Sequence, residues 1–204
     1  MFTTKRHIFL LLLFMSLQAG QLAAAAEYEL IPFAGYRFGG SLDEEESGNS
    51  VDLEEGGSWG FIIGSEASNT TRYELLYSRQ NSGLTETTDP NNAFGLAIHY
   101  LHLGGTADVY QEEFTSFVSG GLGLTHMNPD SDGLVNETFF SLSLGGGLKW
   151  YPTERLGVRL ELRGYGTLTS GESSLFCGEG SCNFRISGDL IPQFETNLGL
   201  IFRF

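Results

Sequence analysis

The feature that most constrains this chain is the alternation of apolar and polar side chains in its last segment, "QFETNLGLIFRF". One parity is apolar or aromatic with a single threonine: Phe194, Thr196, Leu198, Leu200, Phe202 and Phe204. The other parity is polar or glycine, with Ile201 as its one apolar exception: Gln193, Glu195, Asn197, Gly199, Ile201 and Arg203. Successive side chains of a β-strand face opposite sides, so this segment predicts a strand with one apolar face.

Similar segments recur along the chain, and each is long enough to cross a membrane as a tilted strand, which takes roughly 9–11 residues. We place eight of them, at 28–39, 58–66, 71–80, 92–106, 114–126, 137–151, 156–169 and 189–204. Long connections alternate with short ones such as "ASNT" and "PTER". Long loops on one side and short turns on the other are typical of outer-membrane barrels, so both termini are predicted to be periplasmic.

Aromatic residues favour the same fold, because they concentrate at the two membrane–water interfaces. One set lies near the predicted periplasmic strand ends: Tyr28, Tyr73, Phe114, Trp150 and Phe202. A second set lies near the outer ends: Phe38, Trp59, Tyr77, Phe94 and Phe140. The predicted fold class is all-β, an eight-stranded antiparallel up-and-down transmembrane β-barrel. A soluble β-sandwich, which also alternates and carries aromatic residues, is the alternative.

The fourth predicted strand is the least regular of the eight. Phe94, Leu96, Ile98 and Tyr100 keep one parity, whereas Leu101 and Leu103 switch to the other. A β-bulge inserts one extra residue into a strand and produces such a switch. We therefore expect a bulge near Tyr100.

The N-terminal segment has the pattern of a secretory signal. Lys5 and Arg6 precede an apolar run over residues 8–17, and four alanines follow at 23–26. A basic region, an apolar region and small residues at a cleavage site define such a signal. We expect residues 1–26 to be a cleaved signal peptide and 27–204 to be the barrel domain. Loss of Lys5 and Arg6 takes the formal charge from −14 to −16.

The segments "PFAGYRFGG", "YLHLGGT", "SLSLGGGLKWYPTERLGVRLELRGYGTL" and "LGLIFRF" resemble those of small Gram-negative outer-membrane barrels of the OmpA-transmembrane/OmpX-like class. The resemblance covers the whole predicted mature chain and implies a location in the outer membrane. It also implies that the barrel-assembly machinery recognises Phe202 and Phe204 as an insertion signal. No peptidoglycan-binding domain follows the barrel, so a role in cell-wall anchoring is not expected.

The interior of an eight-stranded barrel is just wide enough for side chains to fill. The predicted inward positions carry five cations and five carboxylates: Arg37, Lys149, Arg159, Arg163 and Arg203, with Glu29, Glu66, Glu74, Glu161 and Glu195. Unpaired charges are costly in such a space, so we expect a neutral plug of ion pairs, with a proton or solute path as the alternative. The inward glycines Gly121, Gly123, Gly145 and Gly147 are expected to leave room for these long side chains.

Unbalanced acidity is concentrated in the first long loop, at Asp43, Glu44, Glu45, Glu46, Asp52, Glu54 and Glu55. Such a run is ordinarily a solvated, mobile loop. The alternative is that it attracts divalent cations or a basic partner at the cell surface. The acidity argues against nucleic acid as a partner, because nucleic-acid binding needs basic surface.

Two further loops contain candidate sites. In "NPDSDG", Asn128, Asp130, Asp132 and Gly133 match the start of a calcium-binding EF-hand loop. The twelfth position is Phe139 rather than glutamate, so we expect a plain turn and assign no metal. Cys177 and Cys182 lie in the fourth loop without a nearby histidine. Because export exposes them to an oxidising compartment, we predict a disulfide rather than a zinc site.

Some barrels of this size modify lipid A, which needs a serine, a histidine and a carboxylate in hydrogen-bond reach. His126 is the candidate base, with Glu137 close across the third hairpin. The lipid A 3-O-deacylase pattern has a serine two residues after its histidine, but this chain has Asn128 there. His99 and His102 lack an evident serine partner, so we expect them to pack in the interior or at the interface. No catalytic residue and no cofactor are assigned.

The predicted function is therefore that of a monomeric outer-membrane barrel with a structural or surface-interaction role, in which the loops are the working surface. A narrow channel for ions or small solutes is the second hypothesis, and a lipid A-modifying enzyme is the third. The expected partners are outer-membrane lipid, lipopolysaccharide and, during insertion, the barrel-assembly machinery.

Overall fold

The computed structural model describes residues 27–44, 50–83, 95–130, 135–169, 174–178, 181–185 and 190–204. The proposed signal peptide, residues 1–26, lies outside these ranges, so its cleavage stays a prediction. Within the described residues there is no helix with the length and apolar character needed to cross a membrane.

Eight strands close into one antiparallel barrel. They are β1 (Tyr28–Phe38), β4 (Gly56–Ser68), β5 (Thr71–Gly83), β6 (Gly95–Gln111), β7 (Thr115–Asp130), β8 (Glu137–Trp150), β9 (Leu156–Leu168) and β12 (Leu190–Arg203). Each strand pairs with its neighbours along the chain, and β1 pairs with β12 to close the circle. The predicted eight-stranded up-and-down barrel is confirmed.

The closing seam joins the first and last strands by backbone hydrogen bonds. Tyr28 N donates to Phe204 O and Phe204 N donates to Tyr28 O, each at 3.0 Å. Closure leaves the barrel without an unpaired strand edge. Residues 28 and 204 lie at the same end as the short turns 69–70, 112–114 and 151–155, which we call the turn end. The opposite end carries the long connections and is called the loop end.

Three of the observed strands, β4, β5 and β7, run further than predicted at the loop end. β7 continues to Asp130, and its inward residues Met127 and Pro129 are buried. The alternation of inward and outward side chains therefore persists beyond residue 126. Asn128 and Asp130 lie in a strand, so the expected turn does not begin at Asn128.

The expected bulge near Tyr100 is wrong. β6 pairs with β5 and β7 in unbroken register through this region. Leu96, Ile98 and Tyr100 point into the barrel and are 2%, 0% and 0% exposed, whereas Leu101 and Leu103 point outward. The parity switch arises because the apolar residues of β6 line the interior near the loop end and the outer wall nearer the turn end. Register shifts occur instead between Asp108 and Tyr110 and between Glu66 and Ser68, beside the turns.

The outer wall is an apolar band bordered by aromatic rings. Its half-exposed aliphatic side chains include Leu30, Ile63, Leu75, Leu101, Leu103, Leu122, Leu144, Leu160 and Leu198. Tyr28, Tyr73, Phe114, Trp150 and Phe202 are exposed near the turn end. Trp59 and Phe140 are exposed towards the loop end, while Phe94 lies outside the described residues. An outward apolar band with aromatic girdles matches the surface of a transmembrane barrel.

The interior is not purely polar, which corrects the expectation of a polar plug. Ile31, Ile62 and Leu76 are neighbours across β1, β4 and β5 and are fully buried. Near the loop end, Leu53 joins Leu96, Ile98, Met127 and Ile191 in the same buried apolar cluster. Ile201, the apolar exception in the last strand, also points inward and is 0% exposed. Charged groups therefore share the interior with apolar packing.

The first and fourth long connections contain paired strands, which the sequence did not predict. β2 (Ser41–Glu44) and β3 (Ser50–Asp52) form one hairpin, and β10 (Ser174–Gly178) and β11 (Ser181–Arg185) form another. The two hairpins join into a four-stranded sheet in the order β10, β11, β2, β3. Gly39 and Gly40, with φ of 78° and 97°, allow the chain to turn from β1 into β2.

Candidate functional site

The largest of the predicted sites is the charged interior of the barrel. At its centre, four residues form a cluster of ion pairs. Arg159 contacts Glu74 at 2.6 Å and Glu161 at 3.2 Å. Arg163 contacts Glu161 at 2.8 Å and Glu74 at 3.8 Å. Ser119 and Thr106 donate to Glu161 and Glu74, each at 2.6 Å. Each carboxylate therefore has two arginine partners, which offset the cost of burying its charge.

A second, separate pair lies nearer the loop end. Arg37 contacts Glu195 at 2.6 Å, and both side chains are fully buried. The guanidinium of Arg37 also donates to Ser78 and lies 4.8 Å and 5.1 Å from the ring centroids of Tyr100 and Tyr165. The two tyrosine rings stack at 4.2 Å. This arrangement combines a charge-assisted hydrogen bond with cation–π contacts.

A third group lies at the turn end. Arg203 contacts Glu29 at 2.8 Å, and Arg72 contacts the same carboxylate at 3.3 Å. Tyr151 donates to Glu29 Oε1 at 3.2 Å. Burial and the nearby Glu29 carboxylate raise the pKa of the Tyr151 phenol, which therefore retains the proton that it donates.

Lys149 is also buried at this end, where its ammonium contacts Asp108 at 3.0 Å. Arg72 and Asp108 were not among the predicted inward residues, although both have the inward parity of their strands. Glu66 lies opposite Arg72 in the register between β4 and β5. The predicted cluster is thus divided into three groups. Arg72 lies within the predicted strand 71–80 and has the parity of Glu74, whereas Asp108 lies beyond the predicted strand 92–106 and could be included only by extending that strand towards the turn.

The inward glycines have two different roles. A Cβ at Gly145 would lie 2.7 Å from Ser119 Oγ and 3.0 Å from Glu161 Oε1, so this glycine leaves room for the charged cluster as expected. At Gly123 and Gly147 a Cβ would lie 2.0 Å from a carbonyl oxygen of the neighbouring strand. Those glycines permit close backbone approach instead.

His102 does have serine partners, which corrects the sequence interpretation. Its Nδ1 and Nε2 atoms lie 2.9 Å and 2.8 Å from the hydroxyls of Ser143 and Ser141. His102 is 1% exposed and stands in the barrel interior, as one of the two predicted placements proposed. The serines lie on β8, so no spacing within the strand of His102 could have identified them.

Two further histidines, His99 and His126, lie on the outer wall. His99 Nδ1 lies 2.9 Å from the Tyr77 hydroxyl, and His126 Nδ1 lies 2.8 Å from the Thr138 hydroxyl. Glu137 follows the inward parity of β8, whereas His126 follows the outward parity of β7. The structure therefore places the candidate base and its proposed carboxylate on opposite faces of the wall.

The predicted loop sites are described only in part. Asp43 and Glu44 belong to β2, and Asp52 belongs to β3, whereas Glu45 and Glu46 lie outside the described residues. Glu54 and Glu55 follow β3 at the barrel mouth. Cys177 and Cys182 are directly opposite in the register of β10 and β11, so the backbone places the two residues as a cross-strand pair. The disulfide itself stays a prediction.

Among the described residues no group of three or more histidine, cysteine or acidic side chains is arranged to hold a metal ion. Asp132 and Gly133 of the EF-hand-like sequence lie outside those residues. Phe202 and Phe204 lie on the outer wall at the turn end, 41% and 74% exposed. Their role as an insertion signal stays a prediction.

A family model described as "Outer membrane protein beta-barrel domain" matches residues 8–187. The chain is similar to the crystal structure of Neisserial surface protein A, with a TM-score of 0.59 and 14% identity over 88% of this chain and 99% of that chain. It is also similar to OprG from Pseudomonas aeruginosa, with a TM-score of 0.58 and 11% identity over 88% and 96% of the two chains.

A third similar structure is AlkL, solved by solid-state NMR in lipid bilayers, with a TM-score of 0.57 and 12% identity over 87% of this chain and 90% of that chain. No curated protein sequence matches this chain significantly. At these identities the structural likeness concerns the fold alone.

Proposed function

The chain belongs to the outer membrane protein β-barrel domain family, and from that premise we propose that it is a monomeric scaffold of the outer membrane whose loops contact partners at the cell surface. The observation that carries this proposal is the filled interior. Arg37, Lys149, Arg159 and Arg163 are each no more than 2% exposed. Paired charges and apolar side chains occupy the space that a conducting pore would need.

The loop end supports a role in surface contacts. Two hairpins from opposite ends of the chain pair there, through Phe184 with Glu44 and Arg185 with Asp43. A sheet is more rigid than separate loops, because each hairpin restricts the movement of the other. Asp43 and Glu44 belong to β2 of this sheet and Asp52 to β3. We propose that the acids of the first loop attract divalent cations or a basic partner through contacts that weaken with salt.

Two other functions are weaker alternatives. A narrow channel would require the interior ion pairs to separate. Those pairs form three groups along the barrel. A lipid A-modifying enzyme would require a nucleophile near His126, whose described hydroxyl partner is Thr138 at 2.8 Å. Lipid A mass spectrometry of cells that express the protein tests the enzyme hypothesis, which predicts an altered lipid A mass.

The proposed function is tested by two measurements on the folded barrel. In planar bilayers we expect no stable conductance, because side chains interrupt the water column. We also expect the replacement of Glu44, Glu45 and Glu46 by glutamine to weaken binding of calcium or polylysine, most clearly at low ionic strength.

The matched control replaces Glu112, Glu113 and Glu154, three glutamates of the turn end, by glutamine. This control removes the same charge from the other side of the membrane, so binding at the loop end is expected to be unchanged. Both variants are expected to keep the heat-modifiable band that marks a folded barrel. Steady ohmic conductance, or equal loss of binding in both variants, contradicts the proposal.

A further inference from the structure

Two histidines stand opposite each other on the outer wall of the barrel. His99 of β6 and His126 of β7 are register partners. Both have the outward parity of their strands, because the preceding residues Ile98 and Thr125 are buried. The Cβ atoms of directly opposed residues are about 4.5–5.5 Å apart, and the two imidazole ring centroids are 6.0 Å apart. Both imidazoles are therefore within reach of a single ion between the two strands.

Each imidazole is oriented by a contact at its Nδ1 atom. His99 Nδ1 lies 2.9 Å from the Tyr77 hydroxyl, and His126 Nδ1 lies 2.8 Å from the Thr138 hydroxyl. A hydroxyl oxygen accepts a hydrogen bond, so a proton on Nδ1 can be donated to it, which leaves the lone pair on Nε2. Metal-ligating histidines are ordinarily held in this way, through the ring nitrogen that does not bind the metal. Among the described residues neither Nε2 atom has a hydrogen-bond partner.

The spacing of the two rings suits a bridging metal ion. Two nitrogens that each lie 2.0–2.1 Å from one ion are about 3.3 Å apart in tetrahedral geometry. The ring planes are inclined by 57°, so the imidazoles are not stacked face to face. From centroids 6.0 Å apart, the Nε2 atoms reach the required separation when the ring edges that carry them turn towards each other. Two protein ligands leave the remaining coordination positions to water.

A polar cleft of about 510 Å³ lies next to the histidine pair on its loop-end side. Its lining includes Asn128 and Asp130, which follow His126 on the outward face of β7. Residues rise about 3.3 Å each along a strand, so Asp130 is too distant to ligate the same ion. The cleft gives water access to the pair, and the Asp130 carboxylate attracts a cation towards it.

Arg79 acts against a cation at this place. It lies on β5 as the register partner of His99, on the side away from His126. Strands are about 4.8 Å apart, so the backbone of Arg79 is roughly 7 Å from a point midway between β6 and β7. A positive charge at that distance repels a metal ion, whereas it attracts an anion. The effect of removing this charge therefore distinguishes a metal site from an anion site.

We propose that His99 and His126 form a two-histidine site for a divalent transition-metal ion, with Cu²⁺ as the ion bound most tightly. Imidazole suits copper, zinc and nickel, whereas calcium and magnesium prefer oxygen ligands. For a given set of ligands Cu²⁺ binds more tightly than Ni²⁺ or Zn²⁺. The two Nε2 atoms ligate the ion, and the hydroxyls of Tyr77 and Thr138 accept the Nδ1–H groups. The acidic loop, with its carboxylate oxygens, is not part of this site.

The test is a titration of the folded barrel, without an affinity tag, with Cu²⁺ in detergent micelles, followed by electron paramagnetic resonance. We expect the spectrum of the parent to show hyperfine structure from two imidazole nitrogens. His99→Phe and His126→Phe are each expected to bind Cu²⁺ about tenfold or more weakly, because the loss of a ligand costs at least as much as the loss of an outer-shell partner. Thr138→Val keeps both ligands and is expected to bind about tenfold more weakly, since it removes the acceptor that orients His126.

The matched control is His126→Phe/Val118→His, in which the new histidine replaces an outward valine that is 52% exposed. This variant keeps two histidines on the outer wall but separates them by about 26 Å along the strands. It is expected to bind Cu²⁺ as weakly as His126→Phe. Arg79→Gln is expected to bind Cu²⁺ about threefold more tightly, because a repulsive charge is removed.

All variants are compared as protein with the heat-modifiable folded band. Equal Cu²⁺ binding by the parent and His126→Phe/Val118→His overturns the proposal, because it shows that opposed histidines are not needed. Weaker binding by Arg79→Gln overturns it as well. Displacement of Cu²⁺ by millimolar Ca²⁺, or loss of Cu²⁺ binding in the triple glutamine variant of the first loop, also contradicts it, because either result places the ion among the loop carboxylates. Failure of this site is thus distinguishable from failure of the loop proposal.

Discussion

At the scale of single residues, the buried ion pairs differ in how many partners each charge has. Arg159 and Arg163 share Glu74 and Glu161, so either arginine can be lost without stranding a carboxylate. Glu195 has one cationic partner among the described residues, Arg37 at 2.6 Å. A buried charge that loses its single partner carries a full desolvation cost.

We therefore predict that Arg37→Ala destabilises the barrel by about 3–5 kcal/mol, the usual cost of breaking a buried pair. Glu195 would retain only neutral hydrogen-bond partners, Ser78, Tyr165 and Asn197. The free energy of unfolding is measured from urea titrations of the folded barrel in detergent or lipid.

Two control variants show whether the stranded carboxylate is the cause. Arg163→Ala is expected to cost less than Arg37→Ala, because Arg159 still contacts both Glu74 and Glu161. The double variant Arg37→Met/Glu195→Leu is expected to recover most of the loss, since it leaves no unpaired charge. Equal urea midpoints for Arg37→Ala and the parent contradict the assignment of this pair to the interior.

At the scale of a strand, glycines allow the backbone of this narrow barrel to lie close to side chains in the interior. Gly60 faces inward on β4, where a Cβ would lie 2.0 Å from the Tyr77 carbonyl oxygen and 2.6 Å from the Phe33 ring. Gly57 faces outward on the same strand and has no atom within 4 Å of such a Cβ. The same substitution therefore meets opposite environments three positions apart.

Gly60→Ala is predicted to lower the free energy of unfolding by about 1–3 kcal/mol, the typical cost of overpacking. Gly57→Ala is its matched control and is expected to match the parent or to gain slightly, because alanine restricts the unfolded chain. The prediction is checked by comparing the urea midpoints of the parent, Gly60→Ala and Gly57→Ala. A loss of stability in Gly57→Ala equal to that in Gly60→Ala contradicts the role assigned to the close contact.

At the scale of the whole molecule, stability depends on closing the circle of strands. Phe204 contributes both backbone hydrogen bonds of the outermost seam pair with Tyr28, at 3.0 Å each. Its ring stacks on Tyr28 with centroids 6.4 Å apart. The residue proposed as an insertion signal thus also completes the seam, and a single deletion removes both contributions.

Deletion of Phe204 is predicted to reduce the fraction of protein that reaches the membrane with a heat-modifiable folded band, since the aromatic signal and the last seam bonds are lost together. Phe204→Leu separates the two roles, because it keeps the backbone bonds and removes the ring. If insertion depends on the aromatic ring, Phe204→Leu inserts poorly as well. A deletion variant that fractionates and migrates like the parent contradicts both roles.

The sequence alone determined the number of barrel strands, the apolar outer band and, except in the fourth strand, the inward and outward faces. These properties depend on the two-residue period of a strand and on turn signals, which are local in the chain. The bulge expected near Tyr100 shows the limit of this inference. Parity reports which residues share a face, but an apolar residue can pack against lipid outside or against Ile31 and Leu76 inside.

Only the tertiary structure decided which charges pair and how the loops associate. Arg37 and Glu195 are 158 residues apart in sequence, and Arg159 and Glu74 are 85 apart. His102 meets its serines on another strand, and the first and last hairpins join above the barrel through β2 and β11. Such contacts depend on the stagger of strands in the closed barrel, which brings distant segments together and has no signature in local periodicity.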